Sequence, residues 1–529
     1  MLFWRSFTPS QPEYFMHPDL SKPSRVAASL SRLLPILMVS ACTVGPDFHR
    51  PAAMAVPVAT DKAFADAGLA ANPVSADWWK AFGDPVLDRI EILAVAGNLD
   101  LQVAGARVAR GRAALRIAGA AGLPTAGAAT SYLRERASPN GILGLTGASA
   151  PTADAAGGSD PFGTSTLDGT SGSSDYDLFQ VGFDASWELD LWGKARRTRE
   201  AARASAQAAV YERDAARISL TAEVARTYLM LRGAQARLAV VRSNRETVAR
   251  GHDIALSREE HGAASRYDAA TAGTQLATID ATIPAIERQV DASRNALSLL
   301  TGAEPHALDD ILNDAAATIP QVAGPIAIGM AAQLVRNRPD IAAAEADLHA
   351  ATARIGVAKA DFYPSLSLTG SLGTQALDIS NVPQWASRQF VFGPVLNLPI
   401  FQGGRLKGQL QLTKADEQAA AIQYRATVLR AWHEVDDALS LVRTEQARAA
   451  AAEQAVAQSR IAVQVAHRRY GAGATGYIDV LIAERAQLAS EAEQTSARTD
   501  SAVAVIALYK SVGGGWAPPA SPAQSERPL

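Results

Sequence analysis

Hydrophobic and polar positions along the chain follow two different periods. Over residues 179–191, apolar side chains alternate with polar ones at every second position, which is the period of a β-strand with two unlike faces. Similar alternation occurs at 364–373 and 388–400, and more weakly at 125–136. The pattern therefore predicts four strands, arranged as two pairs.

Long stretches of helical period follow each pair of strands. Small and apolar residues recur at three- and four-residue spacing through 194–301 and 405–513, and a glycine-containing segment breaks each stretch once. Neither 195–283 nor 404–516 contains a proline. We expect two helical hairpins whose helices exceed the usual globular length, which is typical of coiled-coil packing.

The two halves of the chain repeat each other. Residues 193–302 match 404–513 in one uninterrupted register, and residues 86–121, a predicted helix, match 326–361. Aligned pairs in the hairpins include Arg258 with Arg469, Gly262 with Gly473, and Asp268 with Asp479. Matching of this length indicates an internal duplication.

The duplication divides the chain into six segments. In order, they are a signal peptide (1–41), a tether (42–84), a first repeat (85–302), a linker (303–325), a second repeat (326–515) and a tail (516–529). The tail is rich in Pro, Ala and Ser and is predicted to be disordered.

Composition and motifs argue against nucleic-acid binding and catalysis. The 50 basic and 53 acidic residues give a net charge of −3, so the sequence lacks the excess of positive charge that is typical of nucleic-acid-binding proteins. Residues 471–476 match G-x-G-x-x-G, but they follow a predicted helix instead of a strand, so the dinucleotide motif lacks its structural context. The eight histidines are scattered, and we expect no metal site and no enzymatic activity.

The single cysteine, Cys42, ends a segment with the layout of an export signal. Basic residues precede the short apolar stretch 33–39, and two small residues follow it. Residues 39–42 resemble a bacterial lipobox, in which the cysteine is acylated and becomes the mature N-terminus. We expect a covalent lipid on Cys42 and no other cofactor, whereas a buried structural cysteine is the alternative.

The strands favour a membrane channel over a soluble sandwich. The export signal, the symmetric strand pairs and aromatic residues near the strand ends all suit a membrane β-barrel. These aromatic residues are Trp187, Trp192, Phe390, Phe392 and Phe401. Four strands cannot close a barrel, and an open edge in lipid is costly, so three copies would be needed.

The polar face of the 179–191 segment would then line the lumen. Asp184, Glu188 and Asp190 lie on that face and would favour cations. An ordinary solvated strand face would show the same residues.

Several short motifs occur in a specific order. They lie at 42–48 (CTVGPDF), 78–79 (WW), 82–85 (FGDP), 338–341 (RPDI) and 361–364 (DFYP), together with the repeated hairpin. In this arrangement the chain resembles the TolC-like outer-membrane efflux proteins, and most closely their lipid-anchored, OprM-like and NodT-type branch. The resemblance extends over residues 42–516.

The resemblance implies an α+β membrane protein that works as a homotrimer. A 12-stranded outer-membrane β-barrel would continue into a 12-helix periplasmic α-barrel. Such a trimer is the passive exit duct of a tripartite efflux system, joined by a periplasmic adaptor, or membrane fusion, protein to an inner-membrane transporter, here of the RND type. Its location would be the outer membrane, in contact with lipids, and its cargo drugs or other small toxic compounds.

The resemblance also implies a closed periplasmic end at the hairpin tips. Tyr477, Ile478, Asp479 and Ile482 would lie near this constriction. Some members carry an acidic residue at the position of Ile482, so here we expect an apolar constriction with Asp479 or Glu484 supplying charge nearby. Ile478 and Ile482, four residues apart, could equally serve helix packing.

The adaptor would contact the same tips. The expected contact residues are Arg258, Gly262, Ser265, Arg469 and Gly473. For the two glycines, a purely structural turn role is equally compatible with the sequence. A lipid-anchored coiled-coil envelope protein, structural or adhesive and without a channel, remains the alternative function, and conductance separates the two.

Overall fold

The computed structural model describes residues 43–51, 69–70, 72–136, 175–313, 318–328 and 337–517. The expected signal peptide and Cys42 lie outside these ranges, as do the last twelve residues of the expected tail, 518–529.

The described residues form six strands and eight α-helices. The strands are β1 (Leu69–Ala70), β2 (Thr125–Arg136), β3 (Asp175–Leu189), β4 (Ile326–Ala327), β5 (Ser365–Ala376) and β6 (Arg388–Asn397). The helices are α1 (Pro85–Gly97), α2 (Leu99–Ala120), α3 (Lys194–Glu260), α4 (Arg266–Leu300), α5 (Asp309–Asn313), α6 (Pro339–Ala360), α7 (Arg405–Gly471) and α8 (Tyr477–Ser511).

The four long strands form one antiparallel sheet in the order β2-β3-β5-β6. Its outer strands, β2 and β6, each have one edge without a partner in the described part of the chain. β1 and β4 form a separate parallel pair.

Several strand boundaries differ from the sequence prediction, and strand pairing accounts for two of them. β3 begins at Asp175, earlier than expected, because its first residues pair with the end of β2. β6 ends at Asn397 and not at Ile400, because Asn397 is already opposite Ser365, where β5 begins.

The two hairpins have equal dimensions. α3 and α7 each contain 67 residues, and α4 and α8 each contain 35. A 67-residue helix is about 100 Å long. Each hairpin therefore extends far beyond the sheet from which it starts.

The helices continue the sheet as a side-by-side row. Near the sheet, α3 packs between α2 and α6, and α6 packs against α7. Farther away, α3 packs between α4 and α8, and α8 packs against α7. Taken singly, none of the helices in the described ranges has the length and apolar character to cross a membrane, although the bent pair α1 and α2 has both together.

The main hydrophobic core lies midway along the hairpins. A short 3₁₀ turn, Trp78–Phe82, buries its aromatic side chains there, and Trp78 stacks on Tyr509 with ring centroids 5.2 Å apart. Asp84 caps the start of α1 by accepting a hydrogen bond from Val86 N. Its other oxygen accepts one from the Tyr228 hydroxyl at 2.6 Å. The segment before α1 is therefore fixed to α3 and α8.

Candidate functional site

Both hairpin tips turn through a left-handed glycine. Gly262 and Gly473 each have a φ of 71°, a conformation that favours glycine. Each glycine lies two residues after the end of its helix, α3 or α7. The residue after each glycine donates a backbone hydrogen bond back into the helix, from Ala263 N to Arg258 O and from Ala474 N to Arg469 O. The geometry is that of a Schellman-type helix end, so both glycines have a structural role in the turn.

The other tip residues differ in the contacts that they make within the chain. Ser265 caps α4 through a reciprocal pair of hydrogen bonds with Asp268. The Arg258 guanidinium lies 4.6 Å from the centre of the Tyr470 ring and thereby links the two tips. Arg469 is exposed. The tip surface available to a partner thus includes Arg469 and the exposed turns.

Tyr477, which we expect near the constriction, is buried at the start of α8 and is not part of the exposed tip surface. Its side chain is 2% exposed and packs with Ala255, Ala272 and Leu481. The adjacent residues Tyr477 and Ile478 fall on different sides of α8, and the packing against α3 decides which of them is buried. Tyr477 therefore positions the helix.

Ile478, Asp479 and Ile482 form an exposed group at the start of α8. Ile478 is 42% and Ile482 is 60% exposed, and both lie on one side of the helix because they are four residues apart. Asp479 is exposed beside them. In the described part of the chain, neither isoleucine belongs to a buried hydrophobic cluster.

The sheet has one polar face and one apolar face over β3 and β5. Asp184 is opposite Ser371, and Glu188 is opposite Ser367. The apolar side chain of Phe183 is opposite Leu372 on the other face. Asp184 and Glu188 thus belong to a continuous polar face.

Asp190 has a different place from the other two acids. It follows β3, and its carboxylate accepts hydrogen bonds from Ala195 N and Arg196 N at 3.0 Å each. Because β3 ends at Leu189, Asp190 lies just beyond the polar strand face, and its oxygens are engaged by the first turn of α3.

The N-terminal tether is docked where strand turns into helix. Val44 N donates to Trp192 O at 3.0 Å, and Thr43 lies against Gly193, where a Cβ would meet it at 2.8 Å. Farther along, Phe48 stacks on His349 of α6, with centroids 4.4 Å apart. The tether therefore runs in the groove between α3 and α6.

The sheet, the long hairpins and the docked tether together match known proteins over nearly the whole chain. The family model for outer membrane efflux proteins matches residues 93–303 and 331–514. The chain belongs to the outer membrane efflux protein family. This is a family of outer-membrane transport channels and not of enzymes, so the protein is an efflux channel of the outer membrane.

Individual relatives agree with this assignment. The chain is 32% identical to outer membrane protein OprJ of Pseudomonas aeruginosa over 93% of its own length and 96% of that protein. It is 30% identical to the toluene efflux pump outer membrane protein TtgF of Pseudomonas putida, over 90% and 95%. The solved structure of the outer-membrane channel OprN superimposes with a TM-score of 0.79 at 31% identity, covering 90% of this chain and all of that one.

One contact near the tip of this efflux channel joins a buried glutamate to an exposed histidine, and the sequence did not predict it. Glu484 of α8 is buried, and its Oε1 lies 3.0 Å from His467 Nε2 on α7. Its other oxygen has no hydrogen-bond partner in the described part of the chain. Burial raises the pKa of Glu484, whereas the His467 ring opposes this effect.

The contact involves one of the two acids that we expect near the constriction. The buried carboxylate of Glu484 is engaged by His467, whose side chain is 43% exposed. Sequence spacing carries no signal for the pair, because the two residues meet across a hairpin.

Proposed function

We propose that three copies of the chain close into a continuous duct. Each copy would contribute four strands to a 12-stranded barrel and four helices to a 12-helix barrel, and each would have arisen by internal duplication. The observation that carries the proposal is the open sheet. Its two outer strands each have one unpaired edge in the described part of the chain, and the sheet continues into a row of helices. Unpaired backbone groups are costly in lipid, and ring closure removes them.

Apolar side chains on the sheet support a position in lipid. Phe183, Phe390 and Phe392 are each exposed over two thirds of their surface or more. They share one face of the sheet through the register of β3, β5 and β6. This face suits the hydrocarbon layer, and the face with Asp184 and Glu188 suits a water-filled lumen that favours cations.

The two margins of the chain differ, which suits a ring. β2 and α2 form one margin, and β6 and α7 form the other. Exposed apolar residues lie on both margin helices, Ile117 on α2 and Leu412 and Ile422 on α7. Unlike surfaces that meet head to tail close into a ring when the rotation between copies allows it.

The duct would serve a tripartite efflux system. It would conduct passively, receiving small toxic compounds from an inner-membrane transporter of the RND class through a periplasmic adaptor at the hairpin tips. The relative that exports toluene supports this class of cargo. A lipid on Cys42 would enter the membrane where Thr43 is docked, beside Trp192 at the end of the strands.

We place the closed constriction at Ile478 and Ile482, with Asp479 beside them. Replacing both isoleucines by glycine should loosen the closed end and increase basal conductance of the purified protein in a planar bilayer. Ile461→Gly/Val465→Gly is the matched control, because it places two glycines at exposed apolar positions four apart on α7.

Basal conductance that is unchanged in the tip variant, or equally increased in the control, would reject this constriction. A folded protein that conducts in neither form would instead favour the structural or adhesive alternative.

A further inference from the structure

Cations without partners surround the docked tether. Arg199 and Arg203 of α3 line a cavity of about 660 Å³ together with Phe48 of the tether. Lys359 of α6 and Lys414 of α7 line a second cavity, of about 560 Å³, which includes tether residues 46–49. Among the described residues, these four side chains take part in no ion pair or hydrogen bond.

The nearby acids are largely engaged elsewhere. Glu200 binds Arg197 and His349, both at 2.8 Å. Glu345 binds Arg50 at 2.8 Å, and Asp47 also binds Arg197. Glu417 is the one acid lining these two cavities that has no ion pair in the described ranges. The surface around the tether therefore has a surplus of positive charge.

This cationic band, Arg199, Arg203, Lys359 and Lys414, lies on the side of the helices that carries the tether. The opposite side of α3 lines a different cavity, of about 810 Å³, through residues such as Ser205. Arg199 and Arg203 lie on one side of α3 and Ser205 lies on the other, as the periodicity of an α-helix requires. In the proposed duct, the expected lipid attachment site, Cys42, directly precedes Thr43, so the band would face outward and the other cavity would face the lumen.

The band begins where the strands end. Lys359 lies in the last turn of α6, just before β5. Trp192 and Tyr363 stack at the same level, with ring centroids 4.8 Å apart. Trp and Tyr side chains are enriched at membrane–water interfaces. Arg199 and Arg203 are seven and eleven residues beyond Trp192, which is about 10 and 16 Å along a helix. A headgroup layer is about 5–8 Å thick, and long basic side chains extend towards it.

We propose that the cationic band binds the headgroups of anionic phospholipids in the leaflet that faces the helices. Charge complementarity selects this occupant, because the band combines unpaired cations with an aromatic level at a membrane boundary. The inference rests on the proposed barrel, which places that boundary at the end of the strands.

The test measures lipid selectivity around the reconstituted protein. The full-length protein is placed in phosphatidylcholine vesicles containing brominated phosphatidylglycerol or brominated phosphatidylcholine, and quenching of tryptophan fluorescence gives the relative affinity. We expect phosphatidylglycerol to be preferred several-fold. One basic residue near an anionic surface contributes up to roughly fivefold, so Arg199→Gln/Arg203→Gln should remove most of this preference.

The matched control is Arg107→Gln/Arg110→Gln, which removes two exposed arginines that line the opposite cavity. It should retain the wild-type preference. Equal loss in both variants, or no preference in the wild type, would overturn the proposal. Loss of the preference with millimolar inorganic phosphate at constant ionic strength would also overturn it, because the band would then recognise free phosphate.

Trimer content and conductance are measured on the same samples. A conducting trimer without lipid preference rejects the cationic band alone. A wild-type protein that neither assembles nor conducts contradicts the proposed duct.

Discussion

At the scale of single residues, Glu91 is the least expected feature of the efflux channel. Its side chain is fully buried in α1, and neither carboxylate oxygen has a hydrogen-bond partner in the described ranges. Burial, and then the charge of Asp88, raise the pKa of Glu91 to about 9. The carboxyl group is therefore protonated at neutral pH.

The raised pKa makes stability depend on pH. Between the ordinary value of 4.5 and about 9, the folded state holds a proton that the unfolded state has released. The free energy of unfolding contributed by Glu91 therefore falls as pH rises through this window, by at most about 1.4 kcal/mol per pH unit.

Glu91→Gln keeps the shape of the protonated acid and removes its titration. We expect the variant to melt at a higher temperature than the wild type at pH 8.5, by an amount that shrinks towards pH 5, in thermal melts followed by helical circular dichroism. Melting curves whose difference is the same at pH 5 and pH 8.5 would contradict the assignment.

At the scale of elements, periodicity predicted the strands and hairpins, and tertiary packing decided the rest. β2 occupies the predicted residues, whereas β3 begins opposite the end of β2, and β6 ends opposite the start of β5. The turn glycines were recognisable from sequence because few other residues adopt their φ. The burial of Tyr477 was not recognisable, because the rotation of α8 depends on how it packs against α3.

Gly251 and Tyr477 give a direct test of this packing. A Cβ at Gly251 would lie 2.4 Å from the Tyr477 hydroxyl, which has no hydrogen-bond partner in the described ranges. Gly251→Ala should lower stability by about 1–3 kcal/mol through overpacking. Tyr477→Phe removes only that hydroxyl and should change stability little.

The double variant Gly251→Ala/Tyr477→Phe should recover the loss, because the next ring atom is 3.6 Å from the added carbon. Alanine also stabilises a helix by up to about 1 kcal/mol relative to glycine. Chemical denaturation of all four proteins gives the coupling free energy. Strictly additive changes would mean that the two side chains do not meet.

At the scale of the whole molecule, the tether is held by side chains as well as by any lipid. Arg197 of α3 binds Asp47, and Phe48 stacks on His349. These contacts are independent of Cys42. The free edges of the sheet are a larger source of association, because ring closure would pair a whole strand on each side.

Cys42→Ser should therefore abolish acylation without preventing assembly. Incorporation of labelled palmitate should be lost, while unheated samples should still migrate as trimers in denaturing gels. The wild type is the control for both measurements. Recovery of monomers alone from the variant would show that the lipid, and not edge pairing, holds the copies together.

The two margins of the chain differ, and this difference affects whether mutations at one margin behave as dominant. A copy damaged only along β2 and α2 still presents an intact β6 and α7, so it joins a normal neighbour and leaves the proposed ring open. Mutations at one margin should therefore behave as dominant when both alleles are expressed. The yield of closed ducts should fall much more steeply than the share of normal chains in the cell.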